Sequence, residues 1–165
     1  KIYQYLIIVA LYYYQPPRRL DYAPIKIIKT REDDNGEENF LLVLNSQKKY
    51  FIFNKYKTVK HFGNQELTIA KPLNQLLNTW LFISAGSGYL LINSQKKPLS
   101  SNGLGKMIPV AFKPSGIDGV SANILRHVYA TEEIGVEEIN EANKRKTIAG
   151  AMGHSVSEQL KYIKV

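Results

Sequence analysis

The chain has 165 residues, of which 44% are hydrophobic, and this is enough for one domain with a buried core. Its 22 Lys and Arg residues against 14 Asp and Glu give a formal net charge of +8, the sign expected of a protein that contacts phosphate. Because the sequence contains no cysteine, disulfides, thiolate metal sites and a cysteine nucleophile are excluded.

The N-terminal half predicts a helix followed by a small sheet. Residues 2–14 favour a buried helix that ends before Pro16 and Pro17, because the residue before a proline avoids helical geometry. This segment is shorter than the roughly 20 residues that a membrane span requires. Three short apolar segments then predict antiparallel strands: Phe40 to Leu44, Tyr50 to Asn54 and Glu66 to Ala70.

The C-terminal half predicts mainly helices, and Tyr89 to Ile92 is expected to be extended. Pro109 is expected to break the helix that begins at Ser100, since proline lacks the amide donor that a helix interior needs. The fold class is therefore α+β, mainly helical with a small three-stranded antiparallel sheet. The helices are expected at Leu73 to Ile83 after Pro72, at Ser100 to about Pro109, after Ser121 as N-cap, and at Val136 to Ala151.

Two further patterns concern turns and charge. The pentapeptide Asn-Ser-Gln-Lys-Lys occurs at residues 45–49 and 93–97, and its flanks differ, which favours shared turn chemistry over a structural repeat. Five of the 14 acidic residues lie within residues 31–38. This acidic segment is expected to be a solvated loop that faces away from any polyanion, so that the remaining surface is more basic than the net charge implies.

Two arginines suit the cleavage of a phosphodiester, where cations must stabilise the charge that builds up on the non-bridging oxygens. Arg126 lies in an otherwise apolar helix, so it either points into a polar cleft or pairs with an acid such as Glu132 or Glu133. Arg18 follows the Pro-Pro turn, and Asp21 three residues later can orient its guanidinium. The alternative is that Arg18 is a surface residue with a local partner.

A lysine, a histidine and a tyrosine complete the candidate set. Lys57 lies between two predicted strands and is expected at a hairpin tip, where a purely solvated lysine is the alternative. His154 precedes the capping box Ser155-x-x-Glu158, so a short helix begins there and Tyr162 lies on its second turn. Each of these residues also has an ordinary structural explanation, as a hydrogen-bonding histidine or a packed tyrosine.

In this order the segments resemble the tyrosine recombinase (phage-type integrase) family, over the chain from Tyr12 to Tyr162. The shared motifs are an Arg-x-x-Asp box, a lysine followed by Thr, a Leu-Arg-His helix, a Met-Gly-His-Ser turn and a nearby tyrosine. The Pro-Pro-Arg-Arg-Leu-Asp-Tyr segment is most similar to recombinases of large DNA viruses and their mobile elements.

The resemblance implies a catalytic domain of the DNA breaking-rejoining type and a role for each matching residue. Tyr162 would attack the scissile phosphate and form a 3′-phosphotyrosine, with no metal or other cofactor. Arg18 and Arg126 would clamp the phosphate, Lys57 would protonate the leaving 5′ oxygen, and His154 would donate a hydrogen bond. The supporting and DNA-contacting residues would be Asp21, Arg19, Lys55 and Lys60.

The implied partners are double-stranded DNA and further copies of the chain in a tetrameric synapse, inside the cell where the target DNA is. We expect residues 1–165 to form a single catalytic domain, as a fragment without the family's N-terminal DNA-binding domain. Asn123 stands where many members have His or Lys, so proton removal from Tyr162 would fall to His154 or water. A type IB topoisomerase-like enzyme and a non-catalytic DNA-binding protein on a recombinase scaffold remain alternatives.

Overall fold

The computed structural model describes residues 1–134, 140–144 and 146. The chain divides into two compact units, Lys1–Arg126 and His127–Val165. In chain order the elements are α1 (Ile2–Tyr14), β1 (Lys26–Ile28), a 3-10 turn (Arg31–Asp33), β2 (Asn39–Val43), β3 (Lys49–Phe53), α2 (Val59–Phe62), β4 (Gln65–Thr68), α3 (Lys71–Ile83), α4 (Ser101–Phe112), a 3-10 turn (Lys113–Ser115) and α5 (Ala122–Ile134).

The sheet has four strands in the order β1-β2-β3-β4, so the prediction of a three-stranded sheet is wrong. The three predicted strands are confirmed as β2, β3 and β4, which pair antiparallel with small shifts in their bounds. The additional strand β1 pairs parallel with β2, and Lys26 lies opposite Phe40. A three-residue strand has too short a pattern to be recognised, and its pairing depends on residues far along the chain.

Helices α1, α3 and α4 share a hydrophobic core with one face of the sheet. Helix α1 contacts both α3 and α4, and Ile7, Ile8 and Leu11 on it are fully buried. Because side chains alternate along a strand, the two faces of the sheet belong to different clusters. The main core receives Leu41, Phe51 and Phe53, whereas a smaller cluster on the opposite face contains Ile28, Phe40, Leu42 and Ile52.

Helix α4 continues through Pro109, so the predicted break there is wrong. Proline cannot donate a hydrogen bond to the carbonyl four residues earlier, at Gly105. The helix persists because Leu104, Ile108 and Ala111 are buried against the rest of the core. Ser100 caps its start, where the Oγ atom accepts a hydrogen bond from the Gly103 amide at 3.0 Å.

The other helix predictions have mixed outcomes. Helices α1, α3 and α5 are confirmed, and the Ser121 Oγ accepts a hydrogen bond from the Ile124 amide at 3.3 Å, as expected of an N-cap. Residues 140–144 and 146 are helical, but most of the helix predicted over Val136 to Ala151 lies outside the described residues. Among the helices that the structure describes, none is long and apolar enough to cross a membrane.

The repeated pentapeptide forms a turn at both places, and in each turn the asparagine side chain accepts hydrogen bonds from nearby backbone amides. This agrees with shared turn chemistry, although the two turns differ in detail. The Asn45 Oδ1 accepts hydrogen bonds from the backbone amides of the residues two and three positions later, at 2.9 and 2.8 Å. The Asn93 Oδ1 accepts from the amides two and four positions later, at 2.9 and 3.1 Å. An asparagine side chain that bonds its own turn in this way stabilises the reversal of the chain.

Tyr89 and Ile92 form isolated bridges, in agreement with the predicted extended segment.

Candidate active site

Arg18 lies in the loop between α1 and β1 and is held in one orientation. Its Nε donates a hydrogen bond to the Asp21 Oδ2 at 3.4 Å, the contact that the three-residue spacing predicts. Its Nη1 donates to the Gln65 Oε1 on β4 at 2.8 Å. The guanidinium carbon lies 3.9 Å from the centre of the Phe53 ring and 4.6 Å from that of Tyr56. Because the side chain is only 13% exposed and contacts residues of β3 and β4, it is a partly buried, oriented cation and not a surface arginine with a local partner alone.

Two buried tyrosines fix the backbone of this loop. The Tyr12 hydroxyl donates a hydrogen bond to the Arg19 carbonyl at 2.6 Å, and the Tyr22 hydroxyl donates to the Pro16 carbonyl at 3.5 Å. Their rings meet edge to face with centres 5.6 Å apart. Burial raises the pKa of both hydroxyls, so each stays protonated and remains a donor. Arg18 is therefore presented from a loop that is tied down on both sides.

Arg18 lines a cleft of about 260 Å³ together with Lys57 and Arg126, and we call this the arginine cleft. The fold thus brings together three candidate residues that come from the α1–β1 loop, the β3–β4 connection and α5. Arg126 is half-buried, and within residues 1–126 it has no ion-pair partner. The other lining residues are Pro16, Pro17, Arg19, Asp21, Tyr56, Thr58, Phe62 and Gln65.

Lys57 does not lie at a hairpin tip as predicted, because the connection between β3 and β4 contains the short helix α2. Lys57 is exposed and precedes this helix, where it lines the arginine cleft. The Tyr56 hydroxyl donates a hydrogen bond to the Gly63 carbonyl at 2.6 Å, which closes the connection around α2. Lys60 is exposed on α2 itself and does not line the arginine cleft.

A larger cleft of about 660 Å³ adjoins these residues and holds the other predicted DNA contacts, Arg19 and Lys55, beside Lys57. Glu38 lines it as well, so one residue of the acidic segment lies beside these basic side chains. The Glu38 carboxylate accepts a hydrogen bond from the Lys26 Nζ at 2.6 Å, which lowers the pKa of that carboxyl. The negative charge of Glu38 is balanced by its pairing with Lys26, so it does not cancel the charge of the lysines that line the cleft.

The remaining candidates differ in what the structure says of them. Asn123 is exposed and lies one turn before Arg126 on α5, in a second cleft of about 260 Å³ that also contains Arg19 and Arg126. It lines this neighbouring cleft and not the arginine cleft. His154 and Tyr162 lie outside the described residues.

Asn39 is a structural residue of the site that the sequence did not reveal. It is 4% exposed, and its Oδ1 accepts hydrogen bonds from the backbone amides of Asn54 and Lys55 at 3.0 and 2.8 Å. Its Nδ2 donates to the Lys55 carbonyl at 2.9 Å. The available indication was an asparagine at the start of an apolar strand, a position where asparagine is disfavoured. Asn39 shapes the start of the β3–β4 connection that carries Lys57.

Replacing Asn39 by alanine should lower the free energy of unfolding by about 3 kcal/mol, because buried amides lose their acceptor. Asn93→Ala is the matched control, since the Asn93 Oδ1 also accepts from two backbone amides but is exposed, so water can replace it. The Asn93→Ala variant should lose less than about 1 kcal/mol of unfolding free energy. Urea denaturation of both variants measures the difference, and equal losses would contradict the role of burial.

Comparisons with known proteins show a likeness at the level of the fold. No protein-family model and no curated protein matches the chain. A solved structure described as that of XerA recombinase matches with a TM-score of 0.54 and 16% sequence identity. The match covers 99% of this chain and 54% of the recombinase, so the chain spans about half the length of that protein. The fold of this chain therefore resembles that of XerA recombinase.

Proposed function

We propose that this chain is the catalytic part of a site-specific DNA recombinase that cuts and rejoins strands through a 3′-phosphotyrosine. The observation that carries the proposal is the convergence of Arg18, Lys57 and Arg126 on the arginine cleft. Two guanidinium groups and an ammonium beside one cleft suit a phosphate group, since a planar guanidinium binds phosphate oxygens bidentately. The net charge of +8 and the fold shared with XerA recombinase support the same substrate.

The proposed reaction is a transesterification in which each residue has one task. The Tyr162 oxygen forms a bond to the scissile phosphorus while the bond from phosphorus to the 5′ oxygen breaks. Lys57 supplies the proton that the leaving 5′ oxygen takes up, and the tyrosine proton passes to His154 or water. Arg18 and Arg126 stabilise the charge on the non-bridging oxygens. The reverse reaction rejoins the strand, so neither a metal ion nor a nucleotide is consumed.

Five further residues have supporting tasks in the proposal. Asp21 orients Arg18 through the 3.4 Å contact. Arg19, Lys55 and Lys60 contact the DNA backbone on either side of the cleft. Asn123, which cannot act as a base, contributes a hydrogen bond near Arg126. Strand exchange would require double-stranded DNA and further copies of the chain in a tetrameric synapse. The kinship with recombinases of large DNA viruses rests on the sequence motifs.

The proposal is tested with a nicked suicide DNA substrate, in which the fragment carrying the 5′ hydroxyl diffuses away after cleavage. The protein should form a covalent adduct that survives denaturing electrophoresis, in the presence of EDTA, and peptide mapping should place the DNA on Tyr162. Absence of an adduct on a randomised library of nicked duplexes would overturn a catalytic role. Relaxation of supercoils without joining of two different duplexes would favour the topoisomerase-like alternative.

The role of Lys57 is tested by replacing the leaving 5′ oxygen with sulfur. On ordinary DNA, Lys57→Ala should lower the cleavage rate by about 10² to 10⁴, the usual contribution of a general acid. On the sulfur substrate the variant should cleave nearly as well as the parent, because a thiolate leaves without a proton. Lys97→Ala, at an exposed lysine to which the proposal gives no task, is the control and should affect both substrates little. Equal impairment of Lys57→Ala on both substrates would move the general-acid role to another residue.

A further inference from the structure

Two neighbouring residues of strand β4 each accept a hydrogen bond from an arginine, and one of these acceptors is neutral whereas the other carries a negative charge. Gln65 accepts a hydrogen bond from the Arg18 Nη1 at 2.8 Å through its Oε1 atom. The next residue, Glu66, accepts hydrogen bonds from both terminal nitrogens of Arg31. Successive side chains of a strand point to opposite faces, so the neutral acceptor faces the arginine cleft and the carboxylate faces away from it.

Gln65 belongs to a cross-strand pair that surrounds Arg18. It lies opposite Phe53 on β3, and the Phe53 ring is the one whose centre lies 3.9 Å from the Arg18 guanidinium carbon. Directly opposite residues of an antiparallel pair share a face and lie close together. One face of the β3–β4 pair therefore supplies both an aromatic surface and a hydrogen-bond acceptor to the same guanidinium.

The choice of an amide preserves the positive charge of Arg18. The carboxylate of Asp21 is the more distant acceptor, at 3.4 Å, whereas the closer one, at 2.8 Å, is neutral. A second carboxylate at the position of Gln65 would hold the guanidinium equally well but would oppose its attraction for phosphate. Within the described part of the chain, the hydrogen bonds of Arg18 use its Nε and Nη1 atoms and not its Nη2 atom.

We infer that Gln65 is a positioning residue for DNA cleavage, which fixes the direction of the Arg18 guanidinium without neutralising it. The inference rests on the proposed function, since Arg18 would act on the scissile phosphate. It requires two separate properties of residue 65, a hydrogen-bond acceptor and the absence of charge, and two substitutions separate them. Gln65→Glu keeps the acceptor and adds charge, whereas Gln65→Leu stays neutral and removes the acceptor.

The experiment measures adduct formation at saturating nicked DNA. Gln65→Glu should lower the rate by about 100-fold, because the added negative charge opposes the attraction of Arg18 for phosphate. Gln65→Leu should lower it by about tenfold, because a small displacement of a catalytic group has an effect of this size. Glu66→Gln is the matched control on the opposite face and should stay within about twofold of the parent. A Gln65→Glu variant as active as the parent would overturn the argument from charge.

A second measurement reports on Arg18 without DNA. In nitrogen-15 NMR spectra, slowly exchanging guanidinium signals of Arg18 should persist in Gln65→Glu and broaden in Gln65→Leu. Unchanged signals in Gln65→Leu would overturn the positioning role, whatever the activity. A parent protein that forms no adduct would instead overturn the proposed function, and the NMR comparison would still decide whether Gln65 holds Arg18.

Discussion

A Tyr162→Phe variant is expected to form no covalent adduct with nicked DNA, while its affinity for DNA stays close to that of the parent. Phenylalanine keeps the ring but lacks the oxygen that would bond to phosphorus. The buried tyrosines that hold the Arg18 loop are poor substitutes, because the hydroxyls of Tyr12 and Tyr22 donate hydrogen bonds to backbone carbonyls. Burial also raises the pKa of both, which disfavours the phenolate.

The adduct is measured by denaturing electrophoresis and the affinity by a filter or anisotropy assay with intact DNA. Tyr13→Phe is the control, since Tyr13 is 74% exposed on α1 and its hydroxyl has no assigned task. This variant should form adduct at the rate of the parent. An adduct of normal yield in Tyr162→Phe would identify another tyrosine as the nucleophile and would invalidate the motif alignment at the C-terminal end.

Arg18→Ala should lower the rate of adduct formation by about 10³, with a much smaller loss of DNA affinity. The removal of one group that stabilises developing charge on oxygen has an effect of this order. The rate falls more than the affinity because the contact is strongest when charge accumulates in the transition state. Arg18→Lys should recover little activity, since an ammonium cannot reproduce the planar contacts with Asp21, Gln65 and the two rings.

Arg31→Ala provides the matched control for Arg18. Arg31 also pairs with an acid, Glu66, and its guanidinium carbon lies 5.5 Å from the centre of the Tyr50 ring. Its side chain is 54% exposed and lies on the other side of strand β4 from the arginine cleft. Its replacement should leave the cleavage rate within about twofold of the parent's. An exposed ion pair contributes little to stability, so the fold should also be kept. Equal losses for Arg18→Ala and Arg31→Ala would mean that Arg18 acts only through the fold or through general charge.

The elements that the sequence predicted well are those with local causes. Helix α1 ends before Pro16 and Pro17 as expected, and Ser121 caps α5 as expected, because the deciding interactions lie within a few residues. Three strands were found from short apolar segments. Strand β1 was missed, since a parallel partner at residues 40–42 is not visible in three residues of sequence. The break expected at Pro109 was overridden by the burial of its neighbours on α4.

The same division holds for the candidate site. The sequence by itself determined the residue types, their order and the local pair of Arg18 with Asp21, because a spacing of three residues brings side chains within reach. Only the tertiary structure decided that Lys57 and Arg126 share a cleft with Arg18, and that Gln65, 47 residues further along the chain, accepts a hydrogen bond from it. Such contacts depend on strand pairing and helix packing, whose partners are distant in sequence and leave no pattern at either position alone.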